Sequence, residues 1–196
     1  MSLPFAEAAE QNKTVIFEAI KPYLTGDILE IGSGTGQHAV FFASQIPEIR
    51  WQTSELESSL PVIEAWIRDS KLENLPPPIE LDVLGKWPEA QYDVIYSANC
   101  LHIMGEAAVE KTVEGAAARL KPDGVFAVYG PFNYAGNYTS ESNARFDAFL
   151  KSRDSASGIR DFEWIDEMAS RVNLELVQDV DMPANNRCLI WKKRTL

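Results

Sequence analysis

Hydrophobic and polar positions follow two alternating periods along this chain. Residues 5–24 carry helical spacing, with Val15, Ile16, Ala19, Ile20 and Leu24 on one face, and Gly26 closes the segment. The mostly apolar run 27–31 has strand character. Residues 36–46 read as a buried helix that stops at Pro47. A second strand is predicted at 51–54, ending at Glu55, followed by an amphipathic helix over 58–71 with Leu60, Ile63, Ala65, Trp66 and Ile67. The loop Leu75-Pro76-Pro77-Pro78 is rigid because proline fixes φ. Strand three is expected at 79–83. Trp87-Pro88 turns the chain into strand four at 92–97. An Ala-rich helix follows at 106–120, then the turn Lys121-Pro122-Asp123-Gly124 and strand five at 125–129.

The last third is less regular. Residues 139–152 and 162–172 predict helices, the second with Arg160 and Asp161 at its start. Two strand-like runs, 174–180 and 187–191, are joined by 181–186, a connection short enough for a hairpin. Strands and helices alternating before a terminal hairpin predict an α/β fold. It is a doubly wound, seven-stranded, mostly parallel sheet whose last strand is antiparallel. The length of 196 residues suits one domain spanning 1–196, with 1–24 packing over the sheet or closing over a ligand mouth as a lid.

Between strand one and its helix stands Gly32-Ser33-Gly34-Thr35-Gly36. A strand, a glycine-rich turn and a helix present backbone N–H groups to a nucleotide-like ligand. Glycine permits the positive φ and the close approach this requires. The spacing is Gly-x-Gly-x-Gly with Glu30 two positions before, not the Gly-x-Gly-x-x-Gly of dinucleotide enzymes. This form resembles motif I of the class I S-adenosylmethionine-dependent methyltransferases, whose cofactor has no pyrophosphate. Three carboxylates fall at the carboxyl ends of the first three strands, where open α/β sheets bind ligands. Glu55 can accept both ribose hydroxyls and Asp82 the adenine amino group, with Leu56 and Val83 flanking the ring. Glu30 can hold the cofactor's ammonium, directly or through water.

Composition narrows the partners. With 18 Lys and Arg against 29 Asp and Glu, the net charge is −11, which repels phosphate backbones and disfavours nucleic acid. The two cysteines, Cys100 and Cys188, form no CxxC pair, so neither zinc nor a disulfide framework is indicated and a cytoplasmic protein with free thiols fits. No leader or transmembrane run is seen, and no metal-ligand spacing.

Further strings carry a narrower resemblance over nearly the full length. They are Ala8-Ala9-Glu10 with Asn12-Lys13, Gly32 through Val40, Trp51-Gln52 with Ser54-Glu55, and Asn99 with His102-Ile103. They continue with Tyr129-Gly130-Pro131-Phe132, Ser142-Asn143, Phe146-Asp147, Gly158-Ile159-Arg160-Asp161 and Met182-Pro183-Ala184-Asn185-Asn186. The chain resembles the DUF938 group, also called methyltransferase-like 26 proteins. The resemblance implies an S-adenosylmethionine-dependent methyltransferase without a settled substrate, its cofactor held by Asn12, Glu30, Gly32, Ser33, Gly34, Gly36, Glu55, Leu56, Asp82, Val83 and Asn99. The chain departs from the pattern at Gln11, where Arg is usual, and at Met104, where an aromatic is usual.

On the acceptor side, Asn99 and His102 follow strand four and Tyr129 ends strand five, giving three candidate catalytic residues. His102 reads equally as a general base and as a loop histidine that orients Asn99. His38 more simply packs or caps its helix. Asn143, Arg160, Asn185 and Asn186 are candidate substrate contacts. Arg160 could instead pair with Asp161 or Asp147, and the asparagines suit a turn. The five tryptophans read as packing. No Asn-Pro-Pro-Tyr follows strand four, so a small polar molecule is the expected methyl acceptor. Two alternatives stand beside it. One is a non-catalytic adenosylmethionine-binding or protein-interaction module. The other, a nicotinamide-dependent oxidoreductase, is disfavoured by the glycine spacing and the terminal hairpin.

Overall fold

A computed structural model describes residues 3–195; Met1 and Ser2, where the expected N-terminal segment begins, and Leu196 lie outside the described residues. Among the described residues, nine strands and six α-helices follow in chain order. They begin α1 (Glu7–Ile20), β1 (Asp27–Ile31), α2 (Gln37–Gln45), β2 (Arg50–Glu55) and α3 (Leu60–Ser70). Next come β3 (Ile79–Glu80), β4 (Tyr92–Ala98), α4 (Glu106–Arg119), β5 (Leu120–Gly130), β6 (Phe132–Asn133) and α5 (Glu141–Arg153). The chain ends with β7 (Arg160–Asp161), α6 (Phe162–Arg171), β8 (Leu174–Met182) and β9 (Asn186–Lys193).

Seven strands form one sheet in the order β3-β2-β1-β4-β5-β9-β8. β1 pairs in parallel with β2 and with β4, so the strand order reverses between β1 and β4. That reversal opens a crevice at the strand carboxyl ends. β9 runs antiparallel to both β5 and β8, as the hairpin pattern predicts. Alternate residues of the central strands feed two cores. Leu29, Ile31, Ile95 and Phe126 face α4 and α6, whereas Ile28, Val94, Tyr96 and Ala127 face α1 and α2. Strands buried on both faces explain the near-continuous apolar runs of β1 and β4.

Several expectations are corrected. β3 stops at Glu80 rather than 83, because Asp82 accepts the Leu84 amide at 2.9 Å and bends the chain into an Asx turn. The Lys121–Gly124 turn signal is a bulge inside β5, with Asp123 at φ +61° and a register shift opposite Tyr92–Val94. Arg160 and Asp161 stand immediately before α6, with Asp161 as its N-cap, and pair in parallel with Phe132 and Asn133 as a second, two-stranded sheet. The 181–186 connection holds a 3₁₀ turn at Pro183–Asn185, with Ala184 and Asn185 in the left-handed region.

Candidate functional site

The glycine loop is built by β1, β2 and the start of α2. Ser33 N–H donates to Ser54 O at 3.0 Å, Ser33 Oγ accepts from Ser54 N–H, and Gly34 N–H donates to Glu55 Oε2 at 3.1 Å. Gly32 has φ +70°, and a Cβ there would stand 2.3 Å from Cys100 Sγ, so no side chain fits. Gly34, at φ +58°, has nothing within 4 Å of where a Cβ would be. The space above the loop is open, and a side chain would fill it. Thr35 and Gln37 join the N-terminal segment to this loop, since Gln37 Oε1 accepts from Thr35 Oγ1 at 3.0 Å and from the Ala6 amide at 2.6 Å.

Glu30 lies beneath the loop, 2% exposed, with Trp51 Nε1 donating to its carboxylate at 3.0 Å. Trp51 is therefore more than packing. Burial pushes the Glu30 carboxyl up to about 7 against the Trp51 and Ser33 hydrogen bonds, and the Glu55 charge adds to the rise. Between its ordinary 4.5 and about 7, folded Glu30 keeps a proton that the unfolded chain has released. Its contribution to stability falls as pH rises through that window and levels off above it. Thermal melts of Glu30→Gln should therefore gain on the wild type between about pH 5 and pH 7.5. Parallel curves would show that Glu30 does not titrate there.

Two cavities flank the loop after β4. The smaller, about 240 Å³, is lined by Gly32, Glu55, Leu56, Asp82 and Val83, five of the residues singled out from the sequence, together with Ile31, Leu81, Cys100, Ile103, Met104 and Ala108. The larger, about 620 Å³, gathers Asn12, Asn99, His102, Tyr129, Asn143 and Asn186 with Gln11, Val15, Pro131, Ser142 and Phe146. Asn12 and Asn99, expected beside the cofactor, thus line the second cavity. No Asp, Glu, Lys or Arg is among the residues lining this second cavity.

Within the larger cavity Asn99 adopts φ +58°, and its amide donates to Tyr129 O at 2.8 Å. A Cβ on Gly130 would lie 3.7 Å from His102 Nδ1 and 4.0 Å from Asn99 Oδ1, so both polar atoms look onto the gap this glycine leaves. The His102 ring meets Phe146 edge-on at 5.3 Å. Burial, reinforced by the Arg160 charge, lowers its pKa to about 4, so the imidazole is neutral at physiological pH. Asn186 Nδ2 donates to Tyr129 Oη at 3.0 Å, and burial raises the Tyr129 phenol. His38 packs on Phe42, with Nε2 2.7 Å from Asn12 Oδ1 and Nδ1 3.4 Å from Tyr96 Oη. It holds α1 to the sheet.

Two expected substrate contacts stand apart. Asn185 turns away, its carbonyl accepting from Asn143 and its amide donating to Ser142. Arg160 lines a third cavity and donates to backbone carbonyls of the loop after β4 instead of pairing with Asp161 or Asp147. Gln37, Ile103, Met104 and Phe146 were not singled out as site residues. The helical spacing of Phe146 and the adjacency of Gln37 to the glycine loop were the available signals.

The family model described as a protein of unknown function, DUF938, matches residues 3–193. The chain belongs to this family. Among solved structures, the DUF938 chain superposes on an O-methyltransferase family protein from Burkholderia thailandensis with a TM-score of 0.85 at 16% identity, over 96% of this chain and 57% of that one. For human N-acetylserotonin methyltransferase in complex with S-adenosylmethionine the TM-score is 0.81 at 17% identity, over 96% and 53%. For the mitomycin 7-O-methyltransferase MmcR it is 0.84 at 15%, over 95% and 54%. The fold is the Rossmann-like methyltransferase fold. This DUF938 chain spans a little over half the length of each of these proteins.

Proposed function

We propose that this protein is a cytoplasmic S-adenosylmethionine-dependent methyltransferase acting on a small, uncharged polar molecule. The observation that carries the reading is the pair of cavities on either side of the loop after β4. One is edged by the glycine loop and two strand-end carboxylates; the other is lined by carboxamides, His102 and Tyr129. The three solved structures compared above are all named as methyltransferases and two of them as O-methyltransferases, which supports a hydroxyl as the first acceptor to test.

The residues present suit the cofactor. Glu55 would accept the ribose hydroxyls, Asp82 the adenine amino group, and Leu56, Val83, Ile103 and Met104 would enclose the ring. Glu30, with Ser33 above it, would meet the ammonium, whose positive charge favours the ionised carboxylate. Gly34 leaves the loop bare, whereas Gly36 faces Ile63 of α3, where a Cβ would stand 3.2 Å away. Asn12 and Asn99 would bound the methionine end from the acceptor side. S-adenosylmethionine, when bound, supplies an electrophilic methyl group. His102, neutral and with its Nδ1 facing the gap at Gly130, would accept the hydroxyl proton while Asn99, Tyr129, Asn143 and Asn186 align the acceptor. Alignment contributes more than proton removal in such transfers. The tie between Ala6 and Gln37 supports the N-terminal segment as a lid over the cofactor mouth.

The acceptor's charge follows from the lining. Taking a carboxylate, phosphate or ammonium out of water costs several kcal/mol unless an opposite charge receives it. No ionised side chain lines the acceptor cavity. The net charge of −11 likewise disfavours nucleic acid. Transfer of labelled methyl groups to matched acceptors checks this. Uncharged alcohols and phenols should be labelled in preference to analogues bearing a carboxylate, phosphate or amine. A preference for charged analogues, or no transfer to any acceptor, would count against the reading.

A further inference from the structure

The loop between β4 and α4 carries four consecutive backbone carbonyls that no helix uses, because α4 begins only at Glu106. Carbonyls outside a helical ladder take their hydrogen bonds from other donors or from water. All four find them in one short segment. Arg160 Nε donates to Leu101 O at 3.3 Å, Gly158 N–H to His102 O at 2.9 Å and Ser157 Oγ to Ile103 O at 3.2 Å. The Arg160 guanidinium also reaches Met104 O and, at 2.6 Å, Ala156 O within its own segment. The segment is itself anchored. The Ile159 amide donates to Asp147 Oδ1 at 2.7 Å, and that buried carboxylate is held by Lys151 and Tyr138.

The loop so held separates the two cavities. His102 faces the acceptor side, whereas Ile103 and Met104 wall the adenosine side. We infer that residues 157–160 form a clamp that sets the loop between the two cavities, with Arg160 as its positioning residue. This rests on the methyltransferase reading for its functional consequence, but not for its structural one. Arginine suits the task, since its planar fork serves three carbonyls at once where a lysine ammonium offers a single point charge. The charge is spent on backbone dipoles, which explains why Arg160 is absent from the acceptor cavity.

The test uses Arg160→Ala, Arg160→Lys and the milder Ser157→Ala in the full chain. In Arg160→Ala, exchange of the Ile103 and Met104 amides, which are bonded to Cys100 O, should quicken by about tenfold or more while β1 and β4 keep wild-type protection. S-adenosylhomocysteine should bind about tenfold more weakly, and Arg160→Lys should recover only part of the loss. The third cavity, about 750 Å³, opens onto Arg160, so guanidinium ion can reach the vacated position. Guanidinium chloride at about 20–50 mM should restore affinity to Arg160→Ala where sodium chloride does not. Unchanged exchange and affinity in Arg160→Ala, or loss of protection throughout the sheet in all three variants, would overturn the clamp. If wild-type protein binds no S-adenosylhomocysteine, the methyltransferase reading fails, while the exchange result still decides the clamp.

Discussion

His102→Ala should lower methyl transfer to an uncharged hydroxyl acceptor by about 10²–10⁴-fold, the range for a positioned proton acceptor, with affinity for S-adenosylhomocysteine nearly unchanged. The separation follows from geometry. His102 lines the larger cavity and is absent from the smaller one, and only its backbone carbonyl engages the 157–160 segment. Its pH dependence has a definite sign. With a folded pKa of about 4, the imidazole stays neutral through the physiological range and loses its acceptor lone pair only as pH falls toward 4. The limb of activity belonging to His102 should therefore lie near pH 4, not near 6.5. Rates on a confirmed acceptor across pH, in wild type and variant, check both statements. Unaltered turnover in the variant would leave His102 as a loop histidine that orients Asn99.

Glu55→Ala should weaken S-adenosylmethionine binding by about 1.5–3 kcal/mol, the range for hydrogen bonds to a charged group. That is roughly a ten- to hundredfold rise in Kd. Glu55 stands at the end of β2, where Oε2 accepts the Gly34 amide and Oε1 its own neighbour Leu56 at 2.9 Å. The carboxylate thus orders the glycine loop and also faces the cavity. Glu55→Gln separates the two functions, because its carbonyl oxygen can still accept the Gly34 amide while the charge is lost. Glu55→Gln should fall between wild type and Glu55→Ala in affinity. Equal affinity for all three would remove the ribose assignment.

Much of this arrangement is legible in the residues themselves. The 3.6-residue and apolar-run patterns mark all six helices and the seven strands of the main sheet, most of which bury apolar side chains. The strand-end carboxylates are legible because topology places strand ends together whatever the loops do. What escapes is of another kind. β6 and β7 are two residues each and have no periodicity to show. The bulge in β5 and the Asx turn at Asp82 use the same residues as ordinary turns. The role of Arg160 is invisible since its partners are backbone carbonyls, which every residue possesses. Asn185, chosen as a contact, serves the turn through its left-handed φ of +58°. The separation of Asn12 and Asn99 from the smaller cavity depends on how the 99–104 loop divides the crevice, and only the assembled fold shows it.

Calorimetric titration of the purified protein with S-adenosylmethionine, S-adenosylhomocysteine and NAD tests the central claim most directly. The expected result is saturable binding of the first two at one site per chain, in the micromolar range or about −8 kcal/mol, with no binding of NAD. Binding of NAD alone, or of none of the three, would contradict the account.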